Sequence, residues 1–220
     1  MTTAGLAWPL GVVDVTYARH ADIVDRAVAA VADGFEHIDC MVGTDPETLV
    51  LPIGCPTAYP KPVDAWCTTP APSAQFDGAW DRAVRWWRKA PRALLEPWAG
   101  ATVNSIESIR AFRAEVGDVR ILVDTGHVAD WGGDPCELLE LADHVQLRQG
   151  KPGHTQVHVD DPSGVVDFDA VFRELERLDY RGKLSVEYFD LPDIGWGLDD
   201  PVQWACDLAS RLRNVRGRNA

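Results

Sequence analysis

A short apolar run, a polar turn and an amphipathic helix follow one another repeatedly along this chain, most clearly in its second half. RALLEPWA is followed by SIESIRAFRAEVG, VRILVDTGHV by DPCELLELA, DHVQLRQ by DFDAVFRELERL, and GKLSVEYFDL by DPVQWACDLASRLRNV. Such alternation reads as β/α units around a parallel sheet. Near the N-terminus LGVVDVTY predicts a strand, ADIVDRAVAAVADGF a helix that stops at Gly34, and FEHIDCMV a second strand. Three helix starts carry capping chemistry: Ser105 with Glu107 and Ser108, Asp134-Pro135 with Glu137, and Asp200-Pro201.

The stretch 43–74 breaks this rhythm, being rich in proline and without helical period. Its two apolar runs, TLVLPI and PVDAWC, complete a set of eight strands if they are strands three and four. The expectation is then a single (β/α)8 TIM-like barrel, shortened, with the helices after strands two and three reduced to the loops GTDPE and GCPTAYPKP. That deletion explains a length of 220 residues where about 250 are typical of the fold. The alternative is a six-stranded open sheet with a long surface loop. Residues 1–220 suit one domain, because 46% hydrophobic content supplies one good core.

Composition narrows the partners. A net charge of −13 repels a phosphate backbone, so nucleic acid is not an expected partner. No stretch approaches the ~20 apolar residues of a membrane span, and the N-terminus lacks a secretory pattern, so a cytoplasmic protein without membrane contact is expected. The cysteines Cys40, Cys55, Cys67, Cys136 and Cys206 are scattered and form no C-x-x-C pair, which points to neither a disulfide framework nor a zinc ribbon.

The acids carry the chemical signal. Glu96 ends ALLE, Asp124 ends ILVD and Glu187 ends LSVE, so three carboxylates terminate three apolar runs whose ends open on one face of a parallel barrel. Between the second and third lies HVQLRQ, where His144 and Gln146 share a strand face by period two, and one of them joins the same rim. Clustered carboxylates raise one another's proton affinity unless a cation neutralises them, and a divalent ion does so economically. Taken singly, each acid reads as a helix cap or rim ion pair; the ordered set favours the metal. Asp39, near the end of the second strand, is a rim candidate of open role.

From about Leu94 to Asp190 the motifs LLEP, VDTGH, HVQLRQ and SVEYFD resemble, in order, those of the xylose-isomerase-like sugar isomerase/epimerase superfamily. The resemblance implies that Glu96, Asp124, Gln146 and Glu187 bind one metal and that Glu96 and Glu187 act as the acid/base pair. It also implies that His127 is a catalytic, substrate-binding histidine. Gln146, Pro152-Gly153 and Glu187-Tyr188 are closest to the hydroxypyruvate isomerases. Arg148 and His154 are the candidate anion-binding groups for substrate; Lys151 reads as surface solvation. A glutamine oxygen in place of an imidazole nitrogen favours a hard ion, Mn²⁺ first, then Mg²⁺, with Co²⁺ a further candidate.

Such an ion, chelating a vicinal hydroxy-carbonyl, acidifies the α C–H and supports proton transfer through an enediolate. The expected activity is isomerisation or epimerisation of a small sugar, keto-sugar or hydroxy-keto acid. A lyase or dehydratase using the same site, a non-catalytic barrel binding protein, and a repair nuclease of related fold are the competing readings; the acidic charge disfavours the last. Loss of outer helices exposes an apolar flank, for which tryptophans such as Trp8, Trp66, Trp80 and Trp98 provide cover. Of Trp86 and Trp87, one ring is expected on the barrel and one outward, where a homodimer contact is a candidate.

Overall fold

The computed structural model describes residues 8–40, 78–89, 94–117 and 119–216. The runs expected as strands three and four, and the loops beside them, lie outside these residues. The elements described are β1 (Leu10–Val13), α1 (Ile23–Ala32), β2 (Ile38–Asp39), α2 (Ala79–Trp87), β3 (Leu94–Leu95), α3 (Ile106–Val116), β4 (Arg120–Asp124), α4 (Thr125–Asp130), β5 (Ala142–Leu147), α5 (Phe168–Arg177), β6 (Leu184–Val186) and α6 (Pro201–Arg216). Six strands form one parallel sheet in the order β2-β1-β6-β5-β4-β3. This is a curled half-barrel, with β2 and β3 at its two ends among the described residues.

The period of two along each strand divides the sheet into two chemically different faces. Leu10, Val12, Ile38, Leu95, Ile121, Val123, Val145, Leu147, Leu184 and Val186 all join the large core shared with the helices. Their neighbours point to the concave side. There Leu94 and Leu122 form a small apolar pair of their own. Beside it stand buried polar groups: His37 and Asp39 from β2 and its approach, His144 and Gln146 from β5, and Ser185 from β6. The concave face is therefore polar on one flank and apolar on the other, with the acids at its top.

Local sequence explains most helix boundaries. The Asp22 carboxylate caps α1 through Val24 N at 2.7 Å, and Asp167 caps α5 through Ala170 N at 3.0 Å. Ser105 and Ser108 form a reciprocal capping box on α3. Helix α1 ends at Ala32, and Gly34 two residues on, with a φ of +83° that suits glycine, turns the chain away. Trp87 is buried against Phe112, while Trp86 is half-buried and meets Trp87 edge-to-face at 4.9 Å. None of the helices among the described residues is long and apolar enough to cross a membrane.

Two expectations need correction. LGVVDVTY is a strand only to Val13; Asp14–Tyr17 is a 3-10 turn, held by Arg26 Nη1 on Asp14 Oδ2 at 2.9 Å. DPCELLELA is not a helix but two single turns, Pro135–Glu137 and Leu139–Leu141. Strand β5 begins at Ala142 and leaves room for no more, and the helix of this unit is α4, which starts directly on Asp124.

Candidate active site

Four consecutive strands deliver acidic or amide side chains to one end of the half-barrel. Glu96 follows β3, Asp124 ends β4, Gln146 lies next to the end of β5, and Glu187 follows β6. The register places Asp124 opposite Gln146, and Glu187 one residue beyond Val186, the partner of Leu147. Asp124, Gln146 and Glu187 are buried and Glu96 is nearly so. One ligand atom each from Glu96, Asp124 and His127 lies within 4.8 Å of the others, a spacing that could hold a metal ion.

The turn Asp124-Thr125-Gly126-His127 builds much of this site, and each residue has a physical task. Asp124 Oδ1 accepts from Gly126 N at 2.7 Å and His127 N at 3.1 Å, so the carboxylate caps α4 and fixes where the histidine departs. The Thr125 hydroxyl donates to the Arg148 carbonyl at 2.7 Å and accepts from the Arg148 amide at 2.9 Å, riveting β4 to the end of β5. Gly126 allows close approach, since a Cβ there would sit 2.1 Å from the Thr155 carbonyl oxygen. His127 Nδ1 is 2.8 Å from the Thr155 hydroxyl, and Nε2 faces Glu96 Oε1 at 3.5 Å.

Arg148 stands inside the cluster. Its side chain is fully buried, with Nη2 2.5 Å from Asp124 Oδ2 and 3.2 Å from Glu187 Oε2. His154, the other anion-binding candidate, lies on an exposed turn in which Lys151 and His154 exchange backbone hydrogen bonds of 2.9 and 2.8 Å. Lys151 turns to Ser163 at 2.9 Å and Asp161 at 3.9 Å, in keeping with a solvated lysine. Asp39, expected near the rim, is buried on the concave face with Oδ2 2.7 Å from His144 Nε2. His144 is thus committed below the site, and Gln146 is the β5 residue level with Asp124.

Burial and mutual charge shift the proton affinities of these groups. Burial, then the Asp124 carboxylate, raises Glu96 to about 8 against the opposing pull of Arg148. Glu187 is raised well above the ordinary range, chiefly by burial, with Glu96 and Asp124 adding to it and Arg148 opposing. Burial also pushes Asp124 upward, but Arg148 and then His127 outweigh it and hold Asp124 below its ordinary value. Burial lowers His127 to about 3, Asp124 opposing, so its imidazole is neutral near pH 7.

An aromatic wall closes one side. Trp98, two residues after Glu96, has its ring 5.9 Å from His127 and 5.6 Å from Trp196; Trp196 in turn lies 5.7 Å from His127 and 5.5 Å from Phe189. Gln156 holds this loop by donating to the carbonyls of Phe189 at 2.9 Å and Trp196 at 3.1 Å. Sequence reasoning overlooked Thr125, Gly126, Thr155, Phe189 and Trp196. Thr125 and Gly126 carried a signal through their place in VDTGH, and Phe189 through its place in SVEYFD; Thr155 and Trp196 carried none.

Residues 55–214 match the family profile described as "Xylose isomerase-like TIM barrel". No curated protein sequence matches the chain. Among solved structures, an L-ribulose 3-epimerase superposes with a TM-score of 0.67 at 14% identity, covering 96% of each chain. A probable 3-DHS dehydratase of petrobactin synthesis from Bacillus anthracis gives 0.64 at 14% identity, over 92% of this chain and 98% of its own. The 3-keto-D-glucoside 4-epimerase of E. coli gives 0.59 at 14% identity, over 94% and 99%. At these identities the likeness establishes the TIM-barrel-like fold.

Proposed function

This chain belongs to the xylose isomerase-like TIM-barrel family, and on that footing we propose that it is a divalent-metal-dependent isomerase or epimerase of a small hydroxy-carbonyl compound. The observation that carries the reading is the convergence of Glu96 and Asp124 at the ends of adjacent strands, with Glu187 tied to Asp124 through Arg148. Sugar epimerases of the same fold lend it support.

The donor chemistry fits such an ion. Three carboxylates and the Gln146 amide oxygen form an all-oxygen set suited to Mn²⁺ or Mg²⁺. Glu96, Asp124, Gln146 and Glu187 would hold it, and when bound it would polarise the substrate carbonyl and acidify the neighbouring C–H. The protein's own groups do the rest. Glu96, following β3, and Glu187, following β6, are the pair that takes a proton from carbon and returns one. Neutral His127, steadied by Thr155, presents Nε2 beside Glu96 as a hydrogen-bond partner for a substrate oxygen. The Trp98–Trp196 pair stands as an aromatic wall beside His127 on one side of that transfer.

Incubation with candidate ketoses and hydroxy-keto acids in D₂O tests this. Deuterium is expected in recovered substrate and in product of unchanged formula, and Glu187→Gln is expected to slow incorporation by roughly 10²–10⁴-fold. Incorporation that survives both chelation and this substitution would overturn the reading. Loss of water from the substrate would instead indicate a dehydratase, the activity named for the Bacillus anthracis neighbour.

A further inference from the structure

Arg148 is an unusual group to find in a cluster of carboxylates that is to receive a cation. It is wholly buried, and its pocket is shaped to it. A Cβ on Gly126 would approach Arg148 Nε to 2.8 Å and Cγ to 3.0 Å. The Phe189 ring covers the guanidinium, with Cζ 4.9 Å from the ring centroid. Thr125 binds both the amide and the carbonyl of the Arg148 peptide. Packed in this way, the side chain has no exposed surface.

Its partners are charges rather than a full complement of hydrogen-bond acceptors. Nη2 touches Asp124 and Glu187, whereas Nε and Nη1 have no hydrogen-bond partner among the described residues. A buried guanidinium with two idle donor nitrogens is retained through Coulomb attraction to the carboxylates around it. Once a bound ion has displaced their protons, Glu96, Asp124 and Glu187 together with Arg148 carry a formal charge of minus two. A divalent ion brings that sum to zero.

We propose that Arg148 is a fixed counter-cation of the carboxylate cluster, a positioning residue that matches the centre to a divalent ion and restrains its affinity for more highly charged ones. The inference rests on the metal-dependent reading above. It also assigns Arg148 a different task from binding an anionic substrate group, because its contacts are with the protein's own carboxylates. Repulsion between a fixed positive charge and a bound ion scales with the charge of that ion. Removing the guanidinium therefore tightens binding of every cation, and of a trivalent one most.

The test compares Mn²⁺ and Tb³⁺ binding to the full-length wild type, Arg148→Met and Arg148→Lys, by Mn²⁺ electron paramagnetic resonance and Tb³⁺ luminescence. Arg148→Met is expected to bind Mn²⁺ roughly tenfold more tightly and to gain more still for Tb³⁺. Arg148→Lys, which keeps the charge, is expected to stay within about threefold of wild type for both ions. Unchanged or weaker Mn²⁺ binding by Arg148→Met overturns the counter-cation role. If Arg148→Met does not fold, a gain of tenfold or more in Arg148→Lys overturns it, and affinity close to wild type upholds it. A wild type that binds Mn²⁺ separates failure of this inference from failure of the metal reading; a wild type that binds no divalent ion overturns both.

Discussion

Asp124 holds several parts of the site together at once. Its Oδ1 caps α4 through two backbone amides, and its Oδ2 receives Arg148. The layer beneath it depends on similar economy: His37 Nε2 lies 3.0 Å from Ser185 Oγ, and His144 Nε2 lies 2.7 Å from Asp39. Burial lowers His37 to about 4, with Lys183 and His144 acting in the same direction and Asp39 opposing. A base whose folded pKa lies below its ordinary 6.5 contributes stability that is present above pH 6.5 and lost as pH falls toward 4. Denaturant titrations at pH 7 and pH 4.5 are expected to show a smaller acid loss for His37→Asn than for wild type. Equal losses in the two proteins would remove His37 as a cause.

At the scale of elements, the tight passage from β4 into α4 is the device that assembles the site. Gly126 lets α4 approach the loop after β5 so closely that a Cβ at Gly150 would meet Gly126 Cα and O at 2.9 Å. Gly126→Ala is expected to destabilise by about 1–3 kcal/mol, the usual range for overpacking, and to displace Arg148. The shift in denaturation midpoint measures it. Ser105→Ala removes only the α3 capping box and is expected to cost about 1 kcal/mol without altering metal affinity. A Gly126→Ala protein as stable as wild type would show that the approach can relax.

For the molecule as a whole, the carboxylate cluster stores unfavourable energy until a cation or protons relieve it. Metal binding is therefore expected to stabilise the folded chain. At a hundredfold excess over Kd the gain is about 2.7 kcal/mol, which for a chain of this size raises Tm by roughly 5–10 °C. Scanning calorimetry with Mn²⁺ and with chelator measures the difference. A Tm indifferent to Mn²⁺, Mg²⁺ and Co²⁺ would contradict the metal role assigned to Glu96, Asp124, Gln146 and Glu187.

The alternation of strand and helix, the capping box on α3, and the arrival of Glu96, Asp124, Gln146 and Glu187 at one end of a parallel sheet were legible in the amino-acid sequence. These follow from local rules: a period of two along strands, capping side chains at helix starts, and the common direction of parallel strands. Strand period alone left His144 and Gln146 open and the family resemblance pointed to Gln146; the structure adds the register that sets Gln146 against Asp124 and the cross-barrel contact that commits His144 to Asp39. The burial of Arg148, the Trp98–Trp196 wall and the short α4 were likewise decided by tertiary packing. Strand periodicity states which side a residue faces; what it meets there depends on chain segments distant in sequence.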